Sequence, residues 1–419
     1  MERRAWTVPV THEEFDGRFA GTGAALGGML ALAAGMGIGR FVYTPILPDM
    51  AAALGLSKSA AGAIASANFL GYLVGALLAA ARLPGGRRCW FLGGLAASAA
   101  TTGAMGVPDS MSAFVLLRFV GGVASAFVLV LGSAIVLDRL AATQRTGWAA
   151  LHFAGVGAGI AASSVLVDAL HAFGVDWRTL WSASGALSVV AVPFAVWLVQ
   201  ETASIPQAPA PATAREPPPR GLRALALCHG LFGFGYVVTA TFIVAVVRVT
   251  PQARALETVV WLVVGVAAAP STAGWSWIAA HLGVLRAYAL ACLIEAAGVA
   301  VGGLWLSPVG ALSAAALLGG TFMGITALGF AAARAMAPHQ QRRSFAMITA
   351  AFGLGQIAGP TVAGVMLDRT QSFAGASILA ATAVLAAAAI AVRLSVALER
   401  SGHRLFDPNQ GQRRRRRAA

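Results

Sequence analysis

Arg40 and Arg118 stand inside stretches that otherwise hold apolar and small residues, Gly37-Ile-Gly39-Arg40-Phe41-Val42-Tyr43-Thr44-Pro45 and Arg118-Phe119-Val120-Gly121-Gly122. A guanidinium keeps its charge at every working pH, and its planar fork holds a carboxylate through two parallel hydrogen bonds. At membrane depth such a charge costs roughly 2.5–3.5 kcal/mol on insertion scales, so it faces protein or a watery cavity and not lipid. Two of them at similar depth would suit a carboxylate or another small anion. The structural alternatives are that Arg118 satisfies helix carbonyls or takes part in proton movement, and that Arg40 reaches the interface with its charged tip. Tyr43, Asn68, Tyr72, Tyr236, Thr239, Thr241 and Gln356 are polar groups in apolar company and are expected to line the same space. Asn68 and Gln356 could instead tie helices together. Tyr236 leads this set because a second block, Gly233-Phe234-Gly235-Tyr236-Val237-Val238-Thr239-Ala240-Thr241, gives it the place that Arg40 holds in the first.

Groups that could move a proton are few: Glu295 in the middle of an apolar run, and His152 and His229 near run ends. A buried carboxylate must be protonated or paired, and a lone histidine near a helix end serves as readily in packing as in titration. Asp49, Asp168 and Asp368 fall at run ends, as caps or gate partners. Gly359-Pro360 is expected to bend its helix or free carbonyls there, and so to act as a hinge. There is no phosphate-cradling loop with its lysine, no paired-histidine metal motif and no Gly-x-Ser-x-Gly elbow, so no cofactor, metal or catalysis is expected. Cys89, Cys228 and Cys292 are odd in number and lack ligand spacing, and read as small core residues.

The elements that hold these groups are membrane spans. Of 419 residues, 58% are hydrophobic and only 11% charged, against about 25% charged in soluble domains. Runs near 20 apolar residues can cross the hydrocarbon as helices. Six occur in the first half, at 21–47, 59–81, 89–107, 111–137, 147–170 and 177–199; six more follow at 224–248, 257–280, 287–306, 310–334, 344–367 and 373–398. The expected fold is therefore an all-α membrane protein with twelve transmembrane helices in two six-helix pseudo-symmetric bundles. Its parts would be an N-terminal segment 1–20, bundles 21–199 and 224–398, a Pro-rich linker 200–223 and a basic tail 399–419. The first run is too long for a cleaved leader and is expected to remain as a span. A net charge of +14 could suggest nucleic acid, but the basic residues sit in short loops and tails. Lys58, Arg178, Arg248, Arg254 and Arg369 fall on one side and most other arginines on the opposite one, which places both termini in the cytoplasm. Arg413 to Arg417 could attract anionic headgroups or be a plain solvated tail. Stripes of small residues at spacing four, Gly27, Ala31, Gly35 and Gly39, then Ala67, Gly71, Gly75 and Ala79, then Gly155, Gly159 and Ser163, predict close helix packing. They would also suit sliding of spans two, five, eight and eleven at the interface between bundles.

With these blocks, and with His229-Gly230-Leu231, Gly353-Leu354-Gly355-Gln356-Ile357-Ala358-Gly359-Pro360 and Asp176-Trp177-Arg178, the chain resembles the major facilitator superfamily, and within it the YbfB/YjiJ-type bacterial transporters. The resemblance covers all twelve runs. It implies a secondary transporter of the bacterial inner membrane, a symporter or antiporter working by alternating access and driven by protons, with a small-molecule solute, the lipid bilayer and no nucleic acid as partners, and monomeric by default. It also implies that helix nine, with Glu295, supports the bundle from outside. The superfamily's gating loop survives in part as Arg82-Leu83-Pro84-Gly85-Gly86-Arg87-Arg88, where Arg82, Arg87 and Arg88 are the candidate gate residues and Ala81 replaces the aspartate. The solute expected from Arg40 and Arg118 is a small organic anion. The alternatives are an efflux carrier for hydrophobic or cationic compounds and a transporter-like ligand sensor.

Overall fold

The computed structural model describes residues 12–81, 83–201, 220–338 and 340–400, with the backbone alone at 12–20, 220 and 342. Arg82, most of the predicted linker and the Arg413 to Arg417 cluster lie outside the described residues. Those described are helical, without a strand. In chain order the helices are α1 (Gly21–Leu54), α2 (Lys58–Ala79), α3 (Arg87–Ala104), α4 (Met111–Ala142), α5 (Thr146–His171), α6 (Trp177–Leu198), α7 (Gly221–Val249), α8 (Arg254–Leu282), α9 (Val284–Leu304), α10 (Pro308–Met336), α11 (Arg343–Thr370) and α12 (Phe373–Arg400). Eleven are long and apolar enough to cross a membrane. The exception, α3, starts on Arg87 and Arg88 and continues with glycine, serine and threonine, which lowers its mean hydropathy. The helical backbone exceeds the predicted first span at both ends, beginning at His12 and continuing past Pro48 to Leu54. The helix that carries α7 begins at Arg220, inside the segment expected as linker.

Local chemistry sets the starts. The side chains of Ser57, Ser110, Asp176 and Ser307 accept hydrogen bonds from the backbone N–H three residues on, capping α2, α4, α6 and α10. Pro308 follows its cap at the first helical position, where a missing N–H is harmless. Gly55, with φ of 62°, closes α1 in the left-handed conformation that glycine adopts without strain.

Within the first half of the chain α2 packs on α4, α1 on α5, and α3 on α4 and α6. In the second half α7 packs on α11 and α12, α8 on α10, and α9 on α10 and α12. The halves meet where α2 lies along α11, α5 along α8, and the end of α1 on α7. Small residues permit each approach, but two sets divide the work. Gly71 and Gly75 lie against backbone of Phe119 and Val123 on α4, and Gly155 and Gly159 against Met29 and Ala33 on α1. The stripes noted in α2 and α5 thus face inward, within one half. The seam between halves is made by other glycines: Gly62 lies against the Pro360 carbonyl, Gly364 against that of Lys58, and Gly157 and Gly265 against each other's helices. Cys228 and Cys292 are buried as expected, while Cys89 is exposed at the start of α3.

Gly122→Ala places a methyl against the Asn68 carbonyl and forces α4 away from α2. Overpacking of this kind costs about 1–3 kcal/mol, so the variant in detergent is expected to unfold several degrees lower. Gly274→Ala, where a methyl meets nothing within 4 Å, is expected to unfold at the wild-type temperature or above.

Candidate functional site

The backbone that carries Arg40 is not a regular helix. It is α-helical to Leu32, π-helical over Ala33–Ile38, and α-helical again only from Tyr43. Pro45 has no N–H to offer the carbonyl four residues back. Thr44 turns its own N–H to that carbonyl, Phe41 O, at 3.2 Å, and so withdraws from Arg40 O. Arg118 of α4 supplies the missing donors: Nη1 reaches Gly39 O at 3.1 Å and Nη2 reaches Arg40 O at 2.9 Å. Its guanidinium lies over the Tyr43 ring at 5.0 Å, and Asn68 Nδ2 donates to its carbonyl at 2.9 Å. Arg118 therefore holds the broken turn. The two cations do not form a joint clamp, because one is spent on positioning the other.

Arg40 is 3% exposed. Its Nη2 donates to Gln356 Oε1 of α11 at 3.0 Å, and Gln356 Nε2 donates in turn to the Tyr236 hydroxyl of α7. The guanidinium carbon is 4.2 Å from the Tyr72 ring centre, 4.6 Å from that of Phe69 and 5.6 Å from that of Phe41. Its Nε is buried with no partner. Among the described residues no carboxylate lies within ion-pair reach of Arg40 or Arg118. The result is a buried cation covered by aromatic rings, bonded on one side to a neutral amide and unpartnered at Nε. Such a group can accept a planar anion edge-on.

The other expected residues divide. Tyr72 belongs to this cluster, and Tyr43 joins it through Arg118 while its hydroxyl donates to Ala61 O at 2.8 Å. Thr44, not singled out from the sequence, donates to Ala240 O across the halves at 2.7 Å. Thr239 stands apart from this cluster: its methyl faces Gly302 of α9 and it lines a different apolar space, beside Phe242 and Ser377. Thr241 bonds its own helix at Val237 O. His152 Nε2 is 2.9 Å from Ser133 Oγ, and His229 Nδ1 is 3.2 Å from the Tyr288 hydroxyl, with the rings of Phe232, Phe330 and Phe352 around it. Glu295 is fully buried, accepts from Thr321 Oγ1, and keeps Oε1 unpartnered. Phe69 and Phe41 escaped the sequence reading because a phenylalanine in an apolar run carries no signal. Phe69 stands three residues before Tyr72, the spacing that puts both on one helix face.

Arg87 pairs with Asp138 at 2.9 Å and with Glu201 at 3.0 Å, and Arg88 donates to Val199 O and Val196 O. The acids that pair with Arg87 thus come from α4 and from just past the end of α6. Helix α11 runs through Gly359 and Pro360 without a break, and Ser66 donates to Ile357 O beside them at 2.8 Å. At the opposite end, Asp368 accepts the backbone N–H of Lys58 and of Ser59, both at 2.9 Å, and Asp49 pairs with Arg248 at 2.8 Å and with His171 at 2.8 Å. The Asp368 links and the Asp49–Arg248 pair join the two halves of the chain. The pairs of Arg87, and that of Arg286 with Glu399, stay within one half.

The family described as "Uncharacterised MFS-type transporter YbfB" matches residues 32–392. No curated protein matches the chain. Among solved structures, a crystal structure of a mutant of the nucleoside transporter NupG is similar over 93% of this chain and 100% of its own, at 14% identity with a TM-score of 0.61, a likeness of fold.

Replacing Arg118 by Leu leaves two buried carbonyls without donors, each costing about 1–3 kcal/mol. Arg118→Leu is expected to unfold at markedly lower temperature in detergent, with or without solute. Arg40→Met removes a buried charge that has no counter-charge, and is expected to hold or raise the melting temperature of the empty protein. Wild-type stability in Arg118→Leu would show that the arginine does not hold the turn.

Proposed function

The chain belongs to the YbfB family of MFS-type transporters, and from that premise we propose that it carries a small organic anion, bound at Arg40, by proton-coupled alternating access. It is a multi-pass membrane protein and a transporter, not an enzyme. The observation that carries the anion reading is the buried Arg40 guanidinium, with an unpartnered Nε and no carboxylate in reach. A charge in that state is costly until an anion neutralises it. The solute would meet the Nε edge and compete with Gln356 for the guanidinium. An efflux site for cations would not display this charge.

The proposed architecture is two six-helix bundles, 21–199 and 224–398, joined by the linker 200–223, in a bacterial inner membrane with both termini cytoplasmic. The contacts of α2 with α11 and of α5 with α8 support an interface of that kind. The arginine distribution supports the orientation. With that orientation the links at Asp368 and Asp49 belong to the outer face, and they support reading the state described as closed there. For coupling we assign Glu295, whose carboxyl is buried, accepts from Thr321 Oγ1 and keeps one oxygen unpartnered; His152 and His229, each also buried with one ring nitrogen unpartnered, are the alternatives.

In proteoliposomes with an imposed pH gradient, a labelled carboxylate is expected to accumulate with the wild type. With Arg40→Ala its binding and uptake fall at least about tenfold, the lower end for a lost charged hydrogen bond. Unchanged uptake by that variant would refute the anion site. Glu295→Gln is expected to exchange solute across the membrane while losing accumulation against the gradient; full accumulation would remove Glu295 from the coupling.

A further inference from the structure

We infer that His171 is the proton switch of a gate between the two halves of the chain, and that its protonation favours their separation at that end. The inference deepens the proton-coupled, alternating-access reading and takes from it the placing of this end at the outer face. Four charged or titratable side chains meet there. Asp49 of α1 shares its carboxylate between two partners: Oδ2 lies 2.8 Å from His171 Nε2 of α5, and Oδ1 accepts from Arg248 Nη1 of α7 at 2.8 Å. Arg248 turns its Nε and Nη2 to Glu257 of α8. Asp49 and His171 belong to the first half, Arg248 and Glu257 to the second. Within the cluster, the Asp49–Arg248 pair alone crosses between them. Other charged groups on the adjoining helix ends are engaged elsewhere or unpaired. Asp176 caps α6, Arg178 pairs with Asp109, and Asp168 of α5 and Arg254 of α8 form no ion pair among the described residues.

Histidine is the side chain that ordinarily gains and loses its charge between about pH 5 and 8. The His171 and Asp49 side chains are 28% and 29% exposed, so protons reach them from solvent. What each half retains on parting sets the direction of the response. Arg248 retains Glu257 whatever the pH. Asp49 retains a cation only when His171 is protonated; beside a neutral imidazole it loses its one counter-charge along with Arg248. With the halves together, a protonated His171 must share Asp49 with the positive end of the Arg248–Glu257 pair. With the halves apart it has the carboxylate to itself. The separated arrangement therefore binds the proton better, and a ligand shifts a two-state equilibrium toward the state that it binds better. Asp368, bonded to the backbone N–H groups of Lys58 and Ser59, adds a hold across the halves that contains no histidine. On the orientation proposed above, external acid loosens the outer gate, so the protons that drive transport also help to present the site to their own side.

The test is double electron–electron resonance on the full-length protein in detergent, without solute. Nitroxides are placed at Ala53→Cys and Gln252→Cys, exposed positions just beyond Asp49 and Arg248, and the exposed Cys89 is replaced by serine. Between about pH 8 and about pH 6 the ratio of the longer to the shorter distance population is expected to rise about two- to fivefold, the scale of partly exposed ion pairs. His171→Gln keeps a hydrogen-bond donor and cannot take a charge, and is expected to hold the alkaline ratio at both pH values. His171→Lys, charged throughout, is expected to hold the acid ratio. No shift in the wild type, a shift toward the shorter distance on acidification, or a shift that survives His171→Gln would overturn the switch. Solute and sidedness play no part in these outcomes, so the anion site stands or falls separately, on binding by Arg40→Ala. A switch that passes these tests and then answers only to internal acid in oriented proteoliposomes would overturn the orientation and uphold the switch.

Discussion

One buried charge governs this molecule: a guanidinium at Arg40, deep among helices, with no acid in ion-pair reach among the described residues. Everything around it makes that charge tolerable without neutralising it. Aromatic faces from Phe69 and Tyr72 provide their quadrupoles, a contribution of about 0.5–2 kcal/mol for such contacts. Gln356 provides a neutral oxygen. Arg118, a second cation, acts on the backbone and not on any anion, locking the carbonyls of Gly39 and Arg40 so that the first guanidinium cannot drift. A carboxylate partner would neutralise Arg40 in the empty protein and, on the proposed reading, compete with an anionic solute.

The sequence revealed these parts unevenly. Hydrophobic runs locate the helices because length and apolarity are direct requirements of crossing a bilayer, and α3 departs from the rule through its two leading arginines. Arg40 and Tyr236 were visible through the repeated block, and Gln356 through its polarity in an apolar helix. What Arg118 does depends on which carbonyls Pro45 and the π-helical turn leave free, a matter of register between α1 and α4 that no local pattern encodes. The same holds for the glycines: spacing four marks a small-residue stripe, but whether it faces a neighbour in its own half or the other half is decided by the packing. Thr239 sits in the same block as Tyr236 and faces Gly302 of α9 instead of Arg40's cluster.

The two sets of glycines have different mechanical meanings. Gly71, Gly75, Gly155 and Gly159 bring backbones together inside the first half, as Gly319 and Gly355 do inside the second, and stiffen it. Gly62, Gly157, Gly265 and Gly364 do so across the halves, where smooth surfaces allow contact without interdigitated side chains. Rigid halves meeting along smooth seams can rock against one another, and the polar links at Asp49 and Asp368 concentrate the cost of separation at one end.

The neutrality of Gln356 has a kinetic side. An amide can turn about its last torsion and exchange the oxygen it shows for its nitrogen, so it can accept from Arg40 in the vacant protein and, on the proposed anion reading, donate to the solute once that arginine is occupied. A carboxylate in its place would grip the arginine as a competitor of the solute's own strength. With an amide the link from Arg40 to α11 in the vacant protein is a hydrogen bond and not an ion pair, and on the proposed reading the return of the unloaded protein becomes an easier step of the cycle. On that reading the arrangement suits net flux in one direction, where a charged latch would favour one-for-one swapping of solute.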